Sequence, residues 1–409
     1  ASEWIVPHFE KMLYDNALLA TAYLEAFQVT KNPFYARIAR ETLDYVLRDM
    51  TSKDGGFYAA HDADSEGIEG KFYVWNPAQV RAVLGEKDAG RFMKAYDVTD
   101  AGNWEPHEDS IPRNQSVLRA VSDDDLPELK KKLFDARSKR IRPHLDDKVL
   151  TSWNALMISA MAQAAQVLDE PRYRDAAVRA AAYLLSTHRK DGKILRTSRL
   201  GEAKLDAYLE DYAYLSAAML DLYETTFDAK YFEEARALAA RAVELFRDEK
   251  RGGFFTTAAA HESLIARMRE EFEGPHPPGN AVMALTLLRL HSLTGDAALR
   301  DLADATIRSF KTELDRYAAG HPTLLCALDY LQGPSREIVI AGSDPAPFLK
   351  AVRTRFMPNK VVALAAGKAK IKALEGRVPV GGKTAVYVCE NRGCKLPVTE
   401  LAELEAILK

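Results

Sequence analysis

Glu210 and Asp211 stand side by side at the head of an apolar stretch, "LEDYAYLSAAMLDLYE". Two carboxyl groups in unlike environments can divide the roles of general acid and general base, so this pair is a candidate for proton-transfer chemistry. A second acidic set, Asp62, Asp64, Glu66 and Glu69, lies in "HDADSEGIEGKFYVW". Its alternation resembles a calcium loop, but Tyr73 occupies the twelfth position, where a bidentate Glu is required. A solvated acidic loop and a set of carboxylates overhanging a cavity mouth are the remaining readings. Tyr14, Asp15 and Asn16 crowd the entrance of the helix "NALLATAYLEAF", and Ser152, Trp153 and Asn154 do the same for "ALMISAMAQAA". Asn280 opens a further apolar helix, His8 precedes the first motif, and Lys148 in "DDKVLTSWN" can hold an anionic or hydroxyl group. The catalytic candidates are therefore Asp211, Glu210, Asp62, Asp64, Glu66 and His8. The substrate-binding candidates are Tyr14, Asp15, Asn16, Lys148, Trp153, Asn154 and Asn280. His8 with Glu10 is too sparse for a metal site, and no metal or cofactor is expected. There is no HExxH, Walker loop, dinucleotide glycine fingerprint or nucleophile elbow.

The elements that must position these residues emerge from an internal repeat. Asn16-Ala17, Asn154-Ala155, Tyr212-Ala213 and Asn280-Ala281 superpose without a gap. Eighteen residues after each Ala stands Tyr35, Tyr173, Tyr231 or Leu299, and four further on comes Ala39, Ala177, Ala235 or Ala303. Between these landmarks the chain reads helix, short turn, helix. The first helix of each pair is apolar over most of its circumference and should be buried, whereas the second carries a single apolar stripe and should lie outside. After three of the outer helices comes a short extended piece, "DGGFYAA", "DGKILRT" or "RGGFFTT".

A ring of helical hairpins follows, with the inner helices around an axis. "HPTLLCALDYL" adds one more helix, and the count fits an (α/α)6 toroid, mainly α, if further helices lie upstream. The toroid domain should span residues 1–333, with an inserted loop region at about 55–149. From residue 334 to 409, "REIVIAG", "KVVALAA" and "TAVYVCE" read as strands of a small α/β domain. In every repeat the polar cluster opens the inner helix, so parallel inner helices would bring all the clusters to one rim. Polar groups converging over an apolar cavity are the usual form of a small-molecule site. Asn, Asp and Ser are also good N-caps, and Ser152 and Asn280 read equally well that way.

Composition narrows the function classes. The chain has 409 residues, 47% hydrophobic and 28% charged, with a formal net charge of -3. That balance points to a soluble protein and gives no reason to expect nucleic acid or a membrane as partner. The basic run "KKKLFDARSKRIR" follows Asp123 to Asp125, the charge order that a helix dipole favours on a solvated face. Three cysteines are too few for a disulfide framework and point to a reducing, cytoplasmic setting. The spacing of Cys389 and Cys394 argues against a thioredoxin-type dithiol. The chain opens "ASEW" without Met, as a segment of a longer protein would.

"VPHFEKMLYDNALL", "DGGFYAAHDADSEGIEGKFYVW", "DDKVLTSWNALMISA", "LEDYAYLSAAMLDLYE", "PPGNAVMALTLLRL" and "AVYVCENRGCKLPV" together resemble the spermatogenesis-associated, thioredoxin-domain-containing family, whose bacterial members are the YyaL-like proteins. The resemblance runs along nearly the whole chain and implies the family's C-terminal part, with a thioredoxin-like domain upstream as partner. It also implies an (α/α)6 toroid similar to N-acylglucosamine 2-epimerases, cellobiose epimerases and six-hairpin glycosidases. The paired histidines of those epimerases have no counterpart here, and His61 stands where the family more usually has a nonpolar residue. The implied function is a sugar epimerase, isomerase or glycosidase-like activity using paired carboxylates, with Tyr14 and Trp153 stacking on a sugar face. The alternatives are a non-catalytic sugar or polypeptide binding module serving the thioredoxin-like domain, and a scaffold whose polar residues are caps.

Overall fold

A computed structural model describes residues 6–104, 114–122, 124–261, 265–270, 272–365, 371–390 and 393–409. Asp123, Ala366, Asn391, Arg392 and the opening "ASEW" lie outside the described residues. The chain forms two compact units, one from the segment ending at Met12 with Ala59–Asp147, the other from Leu13–Tyr58 with Lys148–Lys409.

The larger unit is the toroid of hairpins. Five inner helices, Leu13–Thr30, Thr151–Leu168, Leu209–Thr226, Gly279–Thr294 and Pro322–Gln332, pack successively side by side. The first four each pair with an outer helix: Pro33–Asp49, Pro171–Thr187, Ala229–Phe246 and Ala297–Arg308. This is the (α/α)6 plan, five of its inner helices being present among the described residues. The inner helix Leu209–Thr226 buries residues on every side, whereas the outer Ala229–Phe246 buries Tyr231, Phe232, Ala235, Leu238, Ala239, Ala242 and Phe246, a stripe at helical spacing. The landmark alanines Ala39, Ala177, Ala235 and Ala303 are all fully buried, where a larger side chain would push the paired helices apart. Each hairpin turns through one left-handed residue, Lys31, Asp169, Phe227 or Gly295, and then an extended N-cap.

The Asn and Tyr landmarks have a common task. Asn154 Oδ1 accepts from the Phe57 N–H at 2.7 Å, and its Nδ2 donates to the Phe57 carbonyl at 2.9 Å. Asn280 repeats this with Phe254 at 2.8 and 2.9 Å. In the third repeat the Tyr212 hydroxyl accepts from the Ile194 N–H at 2.9 Å. Phe57, Ile194 and Phe254 sit at the same place in the three extended pieces, so each inner helix clamps the backbone that leaves the preceding outer helix. Gly253, at φ +71°, could not carry a side chain: a Cβ there would lie 3.0 Å from Asn280 Oδ1.

The C-terminal strands form a sheet in the order Lys360–Leu364, Arg336–Ala341, Ala385–Glu390, Gly393–Cys394, the first pair parallel and the others antiparallel. One face, with Ile338, Ile340, Val386 and Val388, packs on helices Ala346–Arg353 and Leu401–Ile407. The other, with Val339, Val361, Ala363 and Tyr387, joins the core of the toroid helices. Burial on both faces explains the near-continuous β-branched runs. The register sets Cys389 opposite Cys394, and the two are bonded as a disulfide. This corrects the expectation of free thiols and removes the cysteine count as an argument for a reducing, cytoplasmic setting. No helix among the described residues is long and apolar enough to cross a membrane.

The smaller unit holds helices Pro77–Leu84, Glu86–Ala95 and Pro127–Arg137 around Val80, Phe92 and Leu133. Its three-stranded sheet pairs Lys11–Met12 with Ala60–His61, and that strand with Leu145–Asp146.

Candidate functional site

The starts of four inner helices meet at one rim. Tyr14 and Trp153, from the first turns of two neighbouring helices, pack edge to face with ring centroids 4.7 Å apart. Asp211, from the third, accepts from the Ser152 N–H at 3.0 Å. Gly279, from the fourth, lies so near the third that a Cβ there would meet Leu209 Cγ at 3.0 Å. The convergence expected from the repeat is therefore present.

Asp211 and Glu210 have different fates. Asp211 is fully buried; besides Ser152 it accepts from the Tyr208 N–H at 2.8 Å and from Arg196 Nη1 at 3.1 Å. Burial pushes its carboxyl up to about 7, against the pull of Arg196 and the two N–H groups. With these donors around it and no exposed surface, Asp211 positions the Thr151 helix against the Leu209 helix and does not face a ligand. Glu210, one residue earlier, retains some exposure and pairs with Arg196 at 2.9 Å.

A second carboxylate joins Glu210 from the irregular segment ahead of Gly279. Glu270 is half-buried and accepts from the Gly279 N–H, at the positive end of the inner helix. Its carboxyl is nevertheless raised above the ordinary range, first by burial and then by the charge of Glu210. The same segment carries His276, whose ring lies edge-on to Tyr14 at 5.8 Å and to Tyr214 at 6.2 Å. The Tyr214 hydroxyl lies 3.0 Å from His276 Nδ1 and donates to the Pro277 carbonyl. Burial holds this phenol far above its usual range, and the charges of Glu210 and Glu270 add to that. The segment is tied down by Glu273, which accepts from both the N–H and the hydroxyl of Thr323 at 2.8 Å, at the start of the fifth inner helix.

The rim thus presents Trp153 and His276 with Glu210 and Glu270, over the buried rings of Tyr14 and Tyr214. Asp15 and Asn16 lie half-buried on the first turn with Tyr14. The amides of Asn154 and Asn280 are occupied by the backbone clamps, and Lys148 is exposed ahead of strand Val149–Leu150. His8, Asp62, Asp64 and Glu66 belong to the smaller unit and are exposed. There Asp62 Oδ1 accepts from the Asp64 N–H at 3.2 Å, and Glu66 pairs with Lys71 at 2.8 Å. Glu66 and Gly67 both have positive φ, which makes the acidic stretch a tight hairpin between Asp64–Ser65 and Ile68–Glu69. No cluster able to hold a metal ion occurs among the described residues. Glu270 and His276 are not among the sequence candidates; the signal that marks His276 is the run "GPHPPGN", which leads straight into a landmark Asn, and Glu270 lies ahead of that run.

No family model matches the chain. It is 34% identical to human spermatogenesis-associated protein 20 over 99% of its length and 32% identical to the mouse protein over the same share. It spans 58% of the length of each of these relatives. Among solved structures, a family 76 α-mannanase of Bacteroides thetaiotaomicron matches 75% of the chain and 57% of its own, at 12% identity and a TM-score of 0.43. The cellobiose 2-epimerase of Bacillus thermoamylovorans matches 79% and 60% at 11% identity and a TM-score of 0.42. With homology running along 99% of its residues, the chain belongs to the spermatogenesis-associated protein 20 family.

Proposed function

We propose that the rim of the inner helices is a saccharide site at which Glu270 and Glu210 divide acid and base work. The observation that carries this reading is the contrast between the two carboxyl groups. Glu270 is raised toward its protonated form, and Glu210 is ion-paired with Arg196. Both act on Tyr214, and the His276 ring beside Tyr214 also lies against Tyr14, which packs on Trp153. A protonated Glu270 can deliver a proton to a glycosidic or carbonyl oxygen, while Glu210 takes one from water or from a sugar carbon. The first combination cleaves a glycosidic bond; the second isomerises or epimerises a sugar. Trp153, half-buried, offers apolar ring surface to the face of the saccharide with the Tyr14 ring packed behind it, and Asp211 holds the two helix starts in register. His8, Asp62, Asp64, Glu66 and Lys148 are not needed by this reading.

Incubating the protein with mono- and disaccharides in deuterated water separates the outcomes. Deuterium entering a sugar carbon supports the isomerase form, and release of a monosaccharide from a disaccharide supports the glycosidase form. Saccharide binding without either, lost in Trp153→Ala, would leave a recognition module for an upstream thioredoxin-like domain. No binding at all would overturn the saccharide reading.

A further inference from the structure

From their midpoints toward their C-terminal ends, the inner helices line an open cavity of about 240 Å³. Its walls come from four inner helices: Thr21 and Glu25, Ser159 and Gln163, Asp221 and Glu224, and Arg289. Residues 353–360, leading into strand Lys360–Leu364, form a strap across it and contribute Lys360. The strap is bolted down through backbone atoms. Arg353 Nη2 donates to the carbonyls of Glu224 and Thr225 at 2.9 and 3.1 Å, and Gln28 Nε2 donates to those of Arg353 and Arg355 at 2.6 and 3.2 Å. Two of the left-handed hairpin residues join in: Lys31 donates to the Thr354 carbonyl, and the Phe227 ring lies 5.5 Å from the Arg353 guanidinium.

The charges on the wall are largely matched internally. Arg289 Nη2 contacts Asp221 Oδ1 at 2.7 Å and Glu224 Oε1 at 3.0 Å. Glu25 and Gln163 hydrogen-bond each other, and three other groups facing the open space are not matched. Among the described residues, neither the Thr21 nor the Ser159 hydroxyl makes a hydrogen bond, and the Lys360 amine makes neither a hydrogen bond nor an ion pair, although all three line the cavity. These half-buried hydroxyl and amine groups keep their hydrogen-bonding capacity for a guest, so a lining of this kind is complementary to one rich in hydroxyls. The balance of charge favours a neutral guest, since Arg289, Arg353 and Lys360 offset Glu25, Asp221 and Glu224. Burial raises the Glu25 carboxyl and lowers the Lys360 amine, both toward their neutral forms. The volume is below the ~300 Å³ at which pockets for larger ligands begin, and it suits one small molecule.

We propose that this axial cavity binds a single uncharged polyhydroxylated molecule, a polyol or monosaccharide, held by Thr21, Glu25, Ser159, Gln163 and Lys360 under the 353–360 strap. The site is separate from the rim and does not depend on the rim's function.

The test is calorimetric titration of the whole chain with myo-inositol, D-glucose and D-mannose, with glucosamine and glucuronate as charged comparators. Saturable binding of a neutral probe is expected, with neither charged comparator binding as tightly. Ser159→Val and Thr21→Val, which preserve size, should each weaken it by about tenfold, the worth of a lost hydrogen bond. Lys360→Met should weaken it at least as much, and Glu202→Gln, on the exposed strand Glu202–Asp206, should leave it unchanged. Binding that survives Ser159→Val and Thr21→Val but disappears in Trp153→Ala would assign the saccharide to the rim and the cavity to water. No heat with any neutral probe would likewise overturn the proposal.

Discussion

At the N-terminal ends of the inner helices, Asn154, Tyr212, Asn280 and Asp211 are buried and bonded to backbone N–H or carbonyl groups. Further along, Thr21 and Ser159 at mid-helix, with Lys360 from strand Lys360–Leu364, face open space without a hydrogen-bonding partner among the described residues. The contrast follows from what each end must do. The N-terminal end receives the chain from the preceding outer helix, and its irregular backbone needs partners. The C-terminal end only turns through two-residue loops that satisfy themselves by capping. Side chains are consumed by the clamps at the first end, whereas Thr21 and Ser159 further along are not; at the rim Trp153 stays half-exposed and Glu210 keeps some exposure beside its ion pair with Arg196.

The largest effect expected from this comparison is at a clamp. Asn280→Leu strands both the N–H and the carbonyl of Phe254, at about 1–3 kcal/mol for each buried group, so urea unfolding should show a loss of about 2–6 kcal/mol. Ser159→Val should change stability little. Equal losses in the two variants would erase the distinction between the ends.

The next effect is in pH dependence. His188 is buried between Thr151 Oγ1 and Ser198 Oγ, each 2.7 Å from a ring nitrogen, and burial depresses it from 6.5 to about 4. The unfolded chain therefore binds the proton first. The stabilisation is complete above pH 6.5 and is lost as pH falls toward 4, by about 3 kcal/mol at most. The stability difference between the protein and His188→Gln should shrink accordingly between pH 7 and pH 4. A difference that does not change with pH would contradict this environment.

A smaller loss of stability is expected at the rim face. Trp153 is half-buried, and Trp153→Ala should cost about 1–2 kcal/mol of stability while abolishing saccharide binding at the rim. Loss of stability without loss of binding would make the ring a packing residue.

The toroid was legible because its landmarks recur at fixed spacing and because all-round apolar helices alternate with striped ones. The meaning of the landmarks was not, since Asn154 bonds a residue 97 positions away whereas Asn280 bonds one 26 away, and no constant spacing connects the two. Glu210 stood out as one of a pair at a helix start, yet its neighbour Asp211, equal to it in sequence, became a buried brace once the Ser152 N–H approached it. Glu270 escaped notice because it lies in a segment without periodicity. Glu25 and Lys360 sit in ordinary helix and strand patterns, and only the closing of the strap brings them to one cavity. The disulfide was hidden for a similar reason, as strand register, not spacing, sets Cys389 against Cys394.

The central claim is that Glu270 is the proton donor at the rim, and the most direct test is kcat for Glu270→Gln on whichever saccharide the deuterium and product-release assays show to be turned over. The account predicts a fall of about 10² to 10⁴ in kcat with an unchanged melting temperature, because the substitution keeps the shape of the side chain and removes its acid. An undiminished kcat in Glu270→Gln would contradict it.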